Sequence, residues 1–156
     1  MKCALELVAI AKEAERERVM EEMRRQEEER RIAERARKRT VEWCETVLSD
    51  YLEQYARKNL SFSKGEWTHE YGRGHTMHFS GEKRLYPLRQ ESTRYANGDY
   101  SYTTASSEYL DLETIVKHCA QFCIEVEAYS FSYMSYGIGS RRGTVLRFRI
   151  SPECLK

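Results

Sequence analysis

Residues Glu125–Ile150 read EVEAYSFSYMSYGIGSRRGTVLRFRI, two alternating runs around a glycine-containing loop, and the assignment of their two faces decides the fold. Period-two alternation puts Ile124, Val126, Ala128, Leu146, Phe148 and Ile150 on one side of a hairpin. That aliphatic side is the candidate core. The other side carries Tyr129, Phe131 and Tyr133 in line with Glu125 and Glu127, so the acid-marked face also bears three rings. With the turn at Gly137–Gly143 and its centre near Gly139, Tyr133 falls opposite Val145, Phe131 opposite Arg147 and Tyr129 opposite Arg149. A continuous Tyr/Phe/Arg surface results, with Arg141 and Arg142 beside it.

Upstream, LETIVKHCAQF, Leu112 to Phe122, has helical periodicity, Asp111 as N-cap and a hydrophobic staple of Leu110 against Ile115. Asn97-Gly98 is a strong hairpin signal that would pair Tyr95 with Tyr100 and Thr93 with Tyr102. RLYPL, Arg84 to Leu88, reads as an edge strand, because Pro87 has no ladder donor. In EWTHEYGRGHTMHFS a Gly72-Arg73-Gly74 turn would set Tyr71 opposite His75, His69 opposite Met77 and Trp67 opposite Phe79. The opposite, polar side of that hairpin would hold Glu66, Thr68, Glu70, Thr76 and His78.

From Cys3 to Lys58 there is neither Gly nor Pro, and Ala, Glu, Arg, Leu and Met dominate. This predicts one long helix or two nearly collinear ones. It has an apolar tip (Leu5, Leu7, Val8, Ile10), a charged shaft from Lys12 to Thr40, and an amphipathic end over 41–58 with Val41, Cys44, Leu48, Tyr51 and Tyr55 at helical spacing. That end should dock on the rest of the chain. Acid-base pairs at i,i+4 (Glu21–Arg25, Glu27–Arg31, Glu34–Lys38) and i,i+3 (Glu22–Arg25, Glu28–Arg31) support the shaft by a few tenths of a kcal/mol each. Its apolar residues, Val19, Met20, Met23 and Ile32, sustain no heptad, although Val19 and Met23 could pair two copies into a homodimer. The expected architecture is α+β: a long N-terminal α-helix (1–58), then a small domain (59–156) with a mostly antiparallel β-sheet of five or six strands and one further helix.

The 156 residues carry 26 Lys plus Arg against 25 Asp plus Glu, a net charge of +1. Neither an acidic nucleic-acid mimic nor a globally basic binder fits, and charge has to be read locally. RRIAERARKR, Arg30 to Arg39, is one such locality, a basic collar in which Arg35, Arg37, Lys38 and Arg39 are candidate phosphate or partner contacts. Five scattered cysteines, odd in number, suggest reduced thiols in the cytoplasm. Glu6 interrupts the first apolar run, which therefore makes a poor signal peptide, and no run approaches a membrane span.

Catalytic signatures are absent from the sequence. HTMH would send His75 and His78 to opposite faces of a strand, which disfavours a metal site there. His69 with His75, and Cys119 with Cys123 beside His118, form only a loose mixed set. Neither YGRGH nor GIGSRRG leads from a strand into a helix, as phosphate cradles require. No cofactor and no catalytic residue is expected. A non-enzymatic binding protein is the leading expectation, its contacts made by Tyr129, Phe131, Tyr133, Arg141, Arg142, Arg147 and Arg149. A single-stranded nucleic-acid platform, rings stacking on bases and arginines on phosphates, is the second. Self-assembly through the helix is the third.

In overall style the chain resembles small accessory proteins of phages and mobile elements, including anti-CRISPR inhibitors, with a charged helix such as EEMRRQEEERRIAERARKR beside a small β domain. That resemblance implies a host protein or ribonucleoprotein target such as a CRISPR nuclease, engaged without catalysis. Contact would run through the Arg30–Arg39 collar and the Tyr129–Arg149 face.

Overall fold

A computed structural model describes residues 1–68, 78–96, 98–135 and 139–156. The Gly- and Pro-free run is helical from Ala4 to Lys58: helix α1 (Ala4–Trp43), a π-helical turn (Cys44–Leu48) and α2 (Ser49–Lys58). Strands β1 (His78–Ser80), β2 (Arg84–Tyr95), β3 (Gly98–Ala105) and β4 (Leu110–Asp111) follow. Helix α3 (Leu112–Ala120) leads to β5 (Ile124–Ser135) and β6 (Gly139–Ile150). The protein is α+β, as its sequence predicts. Every described strand pair is antiparallel, in the order β3-β2-β1-β6-β5 with β4 on β2. The sheet curls, bringing its outer strands β3 and β5 into contact.

Two compact units divide the chain, Met1–Arg35 and Ala36–Lys156. The first is a solvated helix. Leu5, Leu7, Val8, Ile10, Val19, Met20 and Met23 are all exposed, and the charge ladder forms between near neighbours: Arg25 to Glu22 at 2.6 Å, Arg30 to Glu27 at 3.0 Å and Arg31 to Glu27 at 3.4 Å.

In the second unit burial begins at Ala36 and Thr40, inside what reads as charged shaft. From there Ala36, Thr40, Cys44, Leu48 and Leu52 are buried at a strict spacing of four. A regular α-helix turns about 100° per residue, so such a stripe would slip around it by about 40° at each step. The π-helical turn winds more slowly and returns the stripe to one side. Cys44, Leu48 and Leu52 pack with Phe62, Phe79, Leu85, Leu110, Ile115, Cys119, Leu146 and Phe148, flanked by Trp43, Tyr51 and Tyr55. Trp43 meets Phe79 edge-on at 5.9 Å and Tyr51 meets Phe148 at 6.4 Å. The helical end therefore covers the aliphatic face of β6. Ile124, Val126 and Ile150 join that core from its margin, whereas Ala128, expected there, is exposed.

Thr40 shows why sequence hydrophobicity missed the earlier docking point. Its buried hydroxyl donates to the Ala36 carbonyl at 2.6 Å and accepts the Asp111 N–H at 2.9 Å. Asp111 in turn caps α3, accepting from Thr114 N at 3.0 Å, so the predicted cap and the helix end are tied together. Thr40→Val keeps the shape but leaves the Asp111 N–H without its acceptor. We expect a loss of about 1–3 kcal/mol in chemical denaturation, whereas Thr46→Val, exposed on the same helical run, should stay within about 0.5 kcal/mol.

The remaining hairpin expectations need correction. Phe79 lies opposite Pro87 on one side and Thr144 on the other, so Trp67 is not its cross-strand partner. The segment around Trp67 runs along β6 instead, where it extends beyond β1. There Thr68 N–H donates to the Phe148 carbonyl at 2.8 Å, and Phe148 N–H to Thr68 Oγ1 at 3.0 Å. Thr68, assigned to the polar side, is buried by these bonds. The pairs His69/Met77 and Tyr71/His75 lie outside the described residues.

Strand β2 is interior rather than an edge. Pro87 is tolerated because it sits where the strand changes partner, between Leu85 against Leu110 and Leu88 against Ala105. Its carbonyl still accepts Ser106 N–H at 2.8 Å. The β2–β3 register is Tyr95 with Gly98 and Thr93 with Tyr100, so the chain reverses one residue earlier than an Asn97-Gly98 turn requires; Asn97 itself lies outside the described residues. Both registers keep the same faces together, so alternation cannot choose between them.

Cys123 and Cys154 form a disulfide, contrary to the expectation of reduced thiols throughout. Cys123 has φ 59° just beyond α3, and its carbonyl accepts Ser151 N–H at 2.7 Å, which brings the C-terminal turn Pro152–Leu155 alongside. No helix among the described residues is long and apolar enough to cross a membrane.

Candidate partner-binding face

The side of β5 and β6 turned away from the helices carries the predicted rings, in a different register. Tyr133 is opposite Arg141, Phe131 opposite Gly143 and Tyr129 opposite Val145, while Glu127 faces Arg147 and Glu125 faces Arg149. The expected Tyr133/Val145, Phe131/Arg147 and Tyr129/Arg149 pairs do not form. The loop is shorter than Gly137–Gly143, and Gly139 to Gly143 enters β6 as strand. Parity explains why the face survives: sliding each strand by two residues changes every partner but moves no side chain across the sheet. Charge favours the observed register, since it sets Arg147 and Arg149 against Glu127 and Glu125 rather than against rings.

This face has two halves. Toward the hairpin end, Phe131 stacks on Tyr133 at 5.6 Å and on His78 at 5.0 Å. The Tyr133 hydroxyl donates to Ser80 Oγ at 3.1 Å. Gly143 makes room for the Phe131 ring: a Cβ there would lie 2.7 Å from ring carbon Cε1 and would also strike the Phe79 carbonyl oxygen. Arg141 is exposed on the same side. Arg142 is exposed too, but it pairs with Ser132 and so belongs to the opposite side.

At the other end the guanidinium groups are engaged. Arg147 bonds Glu127 at 3.1 Å, reaches the Tyr129 hydroxyl, and stacks over the rings of Tyr129 at 4.3 Å and Trp67 at 5.7 Å. Arg149 bonds Glu125 at 2.6 Å and stacks over Trp67 at 4.5 Å. Their side chains are only 23% and 31% exposed. The Arg149 hydrogen bond holds the Glu125 carboxyl below the usual carboxylate range against the opposing effect of desolvation, with Ser151 assisting. A carboxyl lowered in this way stabilises the fold above its unfolded pKa, and that contribution fades as pH falls through the lower folded value.

Trp67 and His78 escaped the sequence reading. Sequence alternation puts both in a separate hairpin, and only the path of the chain along β6 brings Trp67 over the arginines. Their residue types carried no signal for it.

The residues of the basic collar divide between the two units. In the first unit Arg35 reaches Glu28 at 3.5 Å. In the second, Arg39 is partly buried, bonding Glu108 at 3.1 Å and the Tyr109 carbonyl at 3.3 Å. Arg37 and Lys38 are exposed. Of the loose metal set, Cys123 is committed to Cys154, and His69 and His75 lie outside the described residues. No group of three or more metal-ligating side chains clusters among the described residues.

Comparison with protein-family models, with curated proteins and with solved structures finds no match to this chain.

Proposed function

We propose that the chain is a non-enzymatic binding protein whose Tyr129–Phe131–Tyr133 face, with His78 and Arg141, docks on a protein or on the protein part of a ribonucleoprotein. The observation that carries this reading is the pairing of Arg147 with Glu127 and Arg149 with Glu125. Phosphate binding needs cations free to replace counterions, and here a phosphate would have to displace two carboxylates. What the face offers is half-buried rings with a charge-neutral margin, a composition suited to protein contacts. Inhibition of a host nuclease complex, as implied by the resemblance to anti-CRISPR proteins, is the specific form of the proposal and rests on overall composition. A cytoplasmic setting belongs to the same proposal. The Cys123–Cys154 bond stands against it, since disulfides persist chiefly in oxidising compartments.

The test is affinity capture from host extract with and without nuclease treatment, using wild type and Phe131→Ala. Partners retained after nuclease, lost at least about tenfold by Phe131→Ala, and released little between 50 and 200 mM salt support the reading. Capture abolished by nuclease, with affinity falling about 10³-fold or more over that salt range, would establish the single-stranded nucleic-acid alternative instead.

Self-association is a second reading, favoured by exposed Val19, Met20 and Met23 in the first unit. Light scattering should then report dimers that Val19→Glu with Met23→Glu dissolves; a monomer at high concentration removes it.

A further inference from the structure

A second chemical feature lies on the helix-covered side of the sheet. Cys44, at the start of the π-helical turn, and Cys119, on the last turn of α3, are free thiols whose side chains interact directly. Both line a pocket of about 340 Å³ with Leu48, Leu52, His118 and Phe122. That volume is at the lower end of small-molecule sites, roughly 300–1,000 Å³. The two residues are only 5% and 3% exposed, so a small reagent entering by the pocket reaches them more readily than a bulky one.

We propose that Cys44 and Cys119 form a redox-active dithiol that is oxidised by small hydroperoxides and closes to a second intrachain disulfide, joining the long helix to α3. Three observations converge on it. The two cysteines belong to one buried cluster and reach it from different elements. The pocket gives them a common approach. π-Helical turns recur at functional positions, and this one begins at the cysteine. The roles follow from how the pair shares a proton: the Cys44 thiol, donating to its neighbour, holds Cys119 below the usual thiol range, while Cys44 itself is pushed up by the same bond and by burial. With Cys44 donating to it and His118 lining the same pocket, Cys119 is assigned as the attacking sulfur.

In the first step Cys119 Sγ attacks one peroxide oxygen and the O–O bond breaks. A sulfenic acid forms on Cys119, and the other oxygen leaves as hydroxide and takes up a proton. In the second step Cys44 Sγ attacks the sulfenic sulfur. The S–O bond breaks, the S–S bond forms, and hydroxide leaves with the Cys44 proton as water. Two thiols lose two electrons, and hydrogen peroxide is reduced to two waters or an alkyl hydroperoxide to an alcohol and one water.

The experiment uses the full chain carrying Cys3→Ser, which removes the exposed thiol, treated with stoichiometric hydrogen peroxide or with oxidised glutathione. Peroxide should reduce the alkylatable thiols in denaturant from two, Cys44 and Cys119, to none. A Cys44–Cys119 cross-linked peptide should appear in the unreduced map, and oxidised glutathione should act at least about tenfold more slowly because of its size. In a Cys3→Ser, Cys44→Ser protein, dimedone should trap a sulfenic acid on Cys119. Should both thiols remain alkylatable after peroxide, or oxidise without the cross-linked peptide, the proposal is overturned. Equal rates with the bulky disulfide would overturn the choice of hydroperoxide as oxidant.

Discussion

Phe148→Ala is expected to lower the unfolding free energy by about 3–5 kcal/mol, the range for a fully buried phenylalanine, and Tyr133→Ala by less than about 1.5 kcal/mol. Phe148 has no exposed surface. Its ring lies in the main core cluster against Tyr51, and its N–H and carbonyl are both taken by Thr68. Tyr133 belongs to the half-buried opposite face. Truncating Phe148 therefore leaves a cavity beneath the helical end, which relaxes poorly because β6 is pinned by β5 on one side and by β1 and Thr68 on the other. Urea denaturation of both variants at equal m-value reads the contrast directly. Equal losses would mean that the Tyr/Phe face is also core, and the proposed docking surface would go with it.

That contrast is legible in the sequence, because face membership depends only on parity. Leu146 and Phe148 had to lie opposite Tyr129 and Phe131 in any register that keeps the hairpin's parity. The Gly- and Pro-free run, the Asp111 cap and the Leu110/Ile115 burial were legible for similar reasons, each resting on chemistry within a few residues. Register was not legible from turn residues. In the β2–β3 and β5–β6 pairs a glycine with turn chemistry lies in a strand, Gly98 in β3 and Gly139 in β6. For β5 and β6 the better guide would have been the charges: pairing Glu125 and Glu127 with Arg149 and Arg147 is satisfied by one register only.

Thr40 and Thr68 were unreadable for a different reason. A buried hydroxyl looks polar in any pattern, and its burial is justified only by partners 71 and 80 residues away in sequence. Trp67 depended on the same long-range contact. Pro87 misled because the edge-strand rule assumes one partner along the strand, whereas β2 changes partner at that residue.

Arg147→Glu is expected to destabilise the fold by on the order of 2–3 kcal/mol, far more than a surface charge change. The new carboxylate would face Glu127 across the strand pair with Glu125 nearby, replacing an ion pair by like charges. It would also remove the guanidinium stacked over Tyr129 and Trp67, a contact worth about 0.5–1 kcal/mol where solvent reaches it and more where it does not. Adding Glu127→Arg restores opposite charges in swapped positions. The double variant should recover about 1 kcal/mol of the loss, leaving the stacking deficit as the remainder. Non-recovery would show that the ion pair contributes nothing beyond packing. Arg141→Glu is the matched control: exposed and opposite Tyr133 on the same face, it should cost within about 0.5 kcal/mol. Binding assays should accordingly probe the face through Arg141 and Phe131. A loss of binding by Arg147→Glu would follow from the damaged strand pair whether or not a partner touches that arginine, while a loss by Arg141→Glu at unchanged stability would place the partner on the aromatic half.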